Sequence, residues 1–152
     1  MNDFIFIPGN IPSLKNSKIM TSKGLFSSKT VKKFLRSHGI QTYSSKDKIV
    51  KGYVKTPDTF RPYAVALKKL LNNYQPPYIL AFYFIRKTKA RFDFGNGVEL
   101  LADLFTAYDV WEDDNCDNFL PLPWIKDGSV YSVNPKAPGV FIKVVKDVVY
   151  IE

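Results

Sequence analysis

Residues 78–85, Tyr-Ile-Leu-Ala-Phe-Tyr-Phe-Ile, constrain this chain more than any other stretch. They are aromatic or aliphatic throughout, with no polar side to turn toward water. Pro76-Pro77 stands directly before them and stops any helix arriving from upstream. The segment is expected to be a central strand, apolar on both faces, with the rest of the chain packed around it.

The flanking patterns supply the other elements. Asp3–Pro8 reads as a first strand, partly or fully buried, closed by Pro8-Gly9. Val31, Phe34 and Leu35 have helical spacing and predict a short helix over 29–37. Residues 41–57 are polar and basic and read as a loop or a weak hairpin. Phe60, Tyr63, Ala64, Leu67, Leu70 and Leu71 form the apolar stripe of a second helix, with Asp58 or Thr59 as its cap. A third helix starts at Asp93 and buries Val98, Leu100, Leu101, Leu104 and Phe105. Tyr108–Trp111 then leads into a short extended piece. Pro121 and Pro123 make Phe119–Trp124 an irregular or edge segment. Asp127-Gly128-Ser129 is a turn, Gly139–Val145 a strand, and Asp147–Ile151 a candidate for another. The expected fold is α+β: one small domain, a mixed sheet packed with two or three helices. Its 152 residues and 45% hydrophobic content suit one domain with a real core.

Charge is distributed unevenly. Residues 1–92 carry 18 Lys/Arg against 3 Asp, a balance of +15, whereas residues 93–152 carry 4 against 11 acids, a balance of −7. Such asymmetry points to nucleic acid or, equally, to a solvated basic surface. Cys116 is the single cysteine, so no intramolecular disulfide forms and a reducing compartment is expected. His38 has no His or Cys neighbour in sequence and is expected at the surface, not on zinc. The first residues lack a signal-peptide pattern, and no apolar run is long enough to span a membrane.

The acids gather around the third helix. Asp93 and Asn96 lie at its start, Glu99 and Asp103 within it, and Asp113, Asp114 and Asp117 beyond its end. Mg²⁺ takes oxygen ligands, commonly one or two carboxylates with water and phosphate. Asp93 and Asp103 on one continuous helix would stand about 15 Å apart and cannot share an ion. Asp113 and Asp114 can fold back toward Asp93, so these three are the candidate catalytic and metal-binding residues. Asn96 would orient Asp93 or hold a metal-bound water; it and Asp93 would otherwise simply cap the helix. Asp103 is a supporting or structural acid, and Asp117 a third ligand or loop charge. The run Arg86, Lys87, Lys89 and Arg91 leads into this stretch. It would seat a phosphate backbone beside the acids or neutralise them. Lys15, Asn16 and Lys18, in a Pro-Ser-Asn loop, are further candidates for phosphate contacts.

Together these motifs resemble the RusA-like Holliday-junction resolvases of phages and prophages. The match runs through Ile11-Pro12-Ser13-Leu14-Lys15-Asn16, the basic run, Asp93-Phe94-Gly95-Asn96, Asp103, and Trp111-Glu112-Asp113-Asp114. It covers most of the chain except a basic, insertion-like stretch at about 20–55. The resemblance implies a homodimer that nicks opposed strands of a four-way junction, using Mg²⁺ or Mn²⁺, in the cytoplasm of a bacterial host. It also exposes two departures. Gly95 stands where the family has a second Asp, and Glu99 where it has a lysine. Either Glu99 or Asp117 supplies the missing carboxylate, or the chain is a catalytically silent binder of branched DNA. A third reading is a protein-interaction module whose basic half meets a protein partner.

Overall fold

The computed structural model describes residues 3–12, 18–21, 24–27, 33–35, 37–38, 60–146, 149 and 151. Lys15, Asn16, most of the 20–55 stretch, the expected caps Asp58 and Thr59, and most of 147–151 lie outside the described residues.

The apolar run forms β4 (Tyr78–Arg86), the strand on which the sheet is built. One edge pairs antiparallel with β7 (Gly139–Val144). The other edge carries two parallel strands end to end: β5 (Phe119–Pro123) along Tyr78–Phe82 and β6 (Tyr131–Val133) along Phe84–Arg86. β1 (Phe4–Pro8) pairs antiparallel with β7 and completes the five-stranded sheet. A separate hairpin joins β2 (Lys18–Thr21) and β3 (Gly24–Ser27) inside the insertion-like stretch. β1, β4, β5 and β6 therefore run one way and β7 the other.

Strand alternation divides β4 into two unlike faces. Leu80, Phe82 and Phe84 are fully buried and share a face with Val144, Ile142 and Val140. Helices α1 (Arg61–Leu71) and α2 (Phe94–Ala107) cover that face through Ala64, Leu67 and Leu71 and through Val98, Leu101, Leu104 and Phe105. Each of the large side chains contributes about 1.5–3 kcal/mol by leaving water. The opposite face differs from the expectation of a strand apolar and covered on both sides. Ala81 and Tyr83 are buried there. Around them lies a rim of rings, Phe4, Phe6, Phe141 and Trp124, in edge and tilted contact. Phe4, Leu120 and Leu122 are more than a third exposed. Among the described residues no helix covers this side.

α1 starts at Arg61, with Phe60 as N-cap and no side-chain cap bond. Pro62 near its first position favours the start sterically. The short helix upstream is seen at residues 33–35 and 37, where Phe34 and Leu35 are buried as their spacing requires. His38, which follows, is not a surface residue. It is only 4% exposed, and its Nε2–H donates to the Pro8 carbonyl at 2.8 Å. Its ring meets Phe34, Phe60 and Tyr63 edge-on. Burial lowers its pKa more than the Pro8 bond restores it. The basic stretch before it gave no hint of this, because His38 is held by a strand thirty residues upstream. No helix of the described residues is long and apolar enough to cross a membrane.

Candidate functional site

Helix α2 connects parallel strands β4 and β5, so its N-terminus faces the C-terminal end of β4. Open sheets with parallel strands commonly bind ligands at that end. Gly97 sets how closely the helix lies on the sheet. A Cβ there would meet the Phe84 ring at 3.1 Å. Ile11, in the loop after β1, packs against the same point, 3.6 Å from that Cβ position. The loop carrying Asn10, the end of β4 and the start of α2 thus come together, and Lys87 N–H donates to Asn10 Oδ1 at 2.9 Å.

Asp93 is the N-cap of α2, as its position in the sequence predicts. Its Oδ1 accepts from Asn96 N–H at 3.2 Å and its carbonyl from Gly97 N–H. Its carboxylate meets the positive end of the helix dipole. From Asn96, Glu99 and Asp103 follow at i+3 and i+7, and the three form one polar stripe along the helix. Glu99 and Asp103 are exposed.

The second acidic group is positioned by Trp111. α2 ends at Ala107, and Asp109 takes a left-handed conformation (φ 63°) that turns the chain back. Tyr108–Trp111 is therefore a turn. Trp111 is buried at 5% exposure, and its Nε1–H donates to Thr106 Oγ1 at 2.9 Å. Thr106 in turn donates to the Ala102 carbonyl. The indole stacks on Phe119, the first residue of β5, at 4.7 Å and 14°, and meets Phe105 edge-on. This one side chain ties the returning loop to the helix and to the sheet. Asn118 Nδ2 donates to the Asp113 carbonyl and to Asn115 Oδ1, and Asp113 Oδ1 accepts from Asp114 N–H at 2.8 Å. Asp117 lies beyond this knot, exposed, with its N–H on Asn115 Oδ1.

The loop places Asp113 and Asp114 against the flank of α2. Partial burial pushes the Asp114 carboxyl above the usual range, and its hydrogen bond with Asp113 and the charges of Asp113 and Glu99 push it further. Asp114 therefore lies within electrostatic reach of Asp113 and Glu99. Among the described residues no group of three His, Cys, Asp or Glu side chains is gathered as a metal would hold it. The donors available are carboxylates and amides, which are hard oxygen ligands of the kind Mg²⁺ and Mn²⁺ take.

The basic run is not uniform either. Lys87, Lys89 and Arg91 are exposed on the loop between β4 and α2. Arg86 is still part of β4 and is only 6% exposed. Alternation puts it on the helix-covered face after Phe84, a signal available in the sequence and masked by the charge run that Arg86 begins.

No protein-family model, no curated protein and no solved structure matches this chain.

Proposed function

We propose that this chain is a Mg²⁺-dependent, structure-selective endodeoxyribonuclease of the RusA-like kind, acting on four-way DNA junctions. The observation that carries the reading is the loop that Trp111 anchors to α2, which brings Asp114, beside Asp113, within electrostatic reach of Glu99. Asp113 and Asp114 lie on this loop and Glu99 on the helix, and the loop leading into that helix exposes Lys87, Lys89 and Arg91. Acids whose charge is unbalanced in this way are relieved by a divalent cation. Asp113, Asp114 and Glu99 would hold it, with Asp93 and Asn96 at the helix start in support. The ion would supply a nucleophilic water at neutral pH and charge neutralisation at the leaving oxygen. Glu99 stands where the family has lysine, and its nearness to Asp114 fits it to replace the acid that Gly95 lacks. Asp103, on α2, and Asp117, in the loop before β5, are exposed and are given supporting roles.

The exposed cations and the acids are complementary in use. Lys87, Lys89 and Arg91 hold the phosphodiester backbone by charge, and binding releases counterions. A homodimer is the form that nicks two opposed strands. One face of each helix is buried against the sheet, and the uncovered sheet face with Leu120, Leu122 and the Trp124 ring cluster is the surface we assign to a second copy.

The absence of an acid at Gly95 also favours a second reading, a silent binder of branched DNA. A labelled four-way junction separates them. The nuclease reading expects paired nicks with Mg²⁺ or Mn²⁺ that vanish in EDTA and in Asp114→Asn. Tight junction binding with no product under either metal supports the binder.

A further inference from the structure

His38 joins three parts of the molecule at one buried point. Its Nε2–H bonds the Pro8 carbonyl at the end of β1. Its ring meets Phe34 of the short upstream helix, and Phe60 and Tyr63 at the start of α1, with centroids 5.0, 5.5 and 6.1 Å away. Gly9 permits this approach, because a Cβ there would meet Phe34 at 3.1 Å and His38 Nε2 at 3.3 Å. The other ring nitrogen, Nδ1, is buried and has no hydrogen-bond partner. A proton added there creates a charged ring and an N–H sealed away from any acceptor. The groups facing the ring give no relief. Pro8 and Gly9 offer backbone alone, and Phe34 and Phe60 are apolar. Tyr63 is the titratable side chain in contact, a phenol that gains no charge in acid. The nearest charges along the chain are cations. Lys33 is exposed on the short helix, and Arg61, next to Phe60, lies over the Tyr108 ring.

We infer that His38 is a pH-sensitive latch: on taking a proton it leaves the Pro8 carbonyl and frees the short helix of Phe34 and Leu35 from the end of β1, while the five-stranded sheet stays folded. Once released, the ring finds water for both nitrogens, which the pocket denies it. So short a helix does not stand alone in water. Its attachment rests on the buried side chains of Phe34, Leu35 and His38. The sheet has no such need of His38, because β7 holds β1 along its other edge from Phe4 to Pro8. Burial already keeps the His38 pKa below its ordinary value of 6.5. The latch is therefore fully closed above that value and weakens as pH falls below it, by up to about tenfold in the opening equilibrium per pH unit. None of this depends on the nuclease reading.

His38 is the single histidine of the chain, so its ring resonances are identified without ambiguity. The test follows them by NMR on the full chain from about pH 7.5 to about pH 5, the range in which histidine titrates. Beside them it follows exchange of the His38 amide, which donates to the Leu35 carbonyl, corrected for the intrinsic rate and compared with the amides of β4. The ring is expected to titrate and the His38 amide to lose protection together, by up to about tenfold per pH unit, while β4 stays protected. In His38→Phe, which fills the pocket without a titrating group, residue 38 should keep the same protection throughout. His38→Gln makes the same comparison if the phenylalanine variant fails to fold. A ring that takes a proton while the amide stays protected overturns the proposal. So does protection lost in step with β4, or lost equally in the variants, or a ring that takes no proton before β4 opens.

Discussion

The two ends of the β4–α2 junction store charge of opposite sign, and neither balances the other. At the end of β4, Arg86 is a buried cation with unused donors under an aromatic ring. Beside α2, partial burial pushes the Asp114 carboxyl above its usual range, and Asp113 and Glu99 push it further. A fold selected only for stability would bring such groups together or replace them with apolar ones. The comparison teaches that Asp114 and Arg86 each carry an electrostatic cost, one as a crowded carboxylate and the other as a guanidinium with unmet donors.

The comparison breaks most visibly at Asp114. Asp114→Asn should reduce Mg²⁺-dependent junction nicking at least about a hundredfold, since a metal's charge stabilisation amounts to several kcal/mol. The same change should raise the melting temperature at neutral pH. The sign follows from the raised carboxyl pKa. The folded state holds that proton more readily than the unfolded chain. Stability therefore falls as pH rises from the ordinary Asp value of 3.8 through the raised one, and the full penalty stands at pH 7. The gain in Asp114→Asn should shrink to nothing in acid. Thermal melts across pH with and without Mg²⁺ check both halves. A variant that loses activity and stability together would mean that the acids are structural.

Next in size is the salt response. Junction affinity should fall steeply with ionic strength. Replacing Lys87, Lys89 and Arg91 by Gln should flatten the log–log slope by about 0.9 for each charge that touched a phosphate. An unchanged slope would place the strand elsewhere.

His38 offers a buried ionisable group that is hydrogen-bonded, against which the two charged regions are sharpened. Burial lowers its pKa, so the unfolded chain takes up a proton that the folded state refuses. Stability should fall as pH drops below its ordinary value of 6.5, with a slope of at most about 1.4 kcal/mol per pH unit. Urea unfolding of parent and His38→Phe, compared over that window, should show the slope only in the parent.

The smallest effect concerns the anchor. Trp111→Phe keeps the stack on Phe119 and loses the bond to Thr106, at a cost of about 1 kcal/mol in urea unfolding. A loosened loop should lower nicking more than it lowers stability. Equal losses would mean that the indole serves packing alone.

The sequence announced those elements whose cause is local. The run after Pro76-Pro77 could only be a strand, Asp93 three residues before Asn96 was a helix cap, and Pro121 and Pro123 marked an edge. What stayed hidden depends on partners distant in the chain. Burial of His38 needs the Pro8 carbonyl, and the three-residue β6 is too short to carry a pattern of its own. Glu99 was legible as an acid but not as a neighbour of Asp114, because the return of the loop depends on where Trp111 lodges. Arg86 was legible by alternation with Leu80, Phe82 and Phe84, yet composition grouped it with the exposed cations that follow.

The most direct measurement is cleavage of an end-labelled four-way junction by the full chain, with Mg²⁺, with Mn²⁺ and with EDTA, beside Asp114→Asn. Symmetric nicks in the presence of either metal, absent with the chelator and in the variant, are the predicted result. A junction that stays whole in both metals, or one cut equally well by Asp114→Asn, would contradict the assignment of these acids to cleavage.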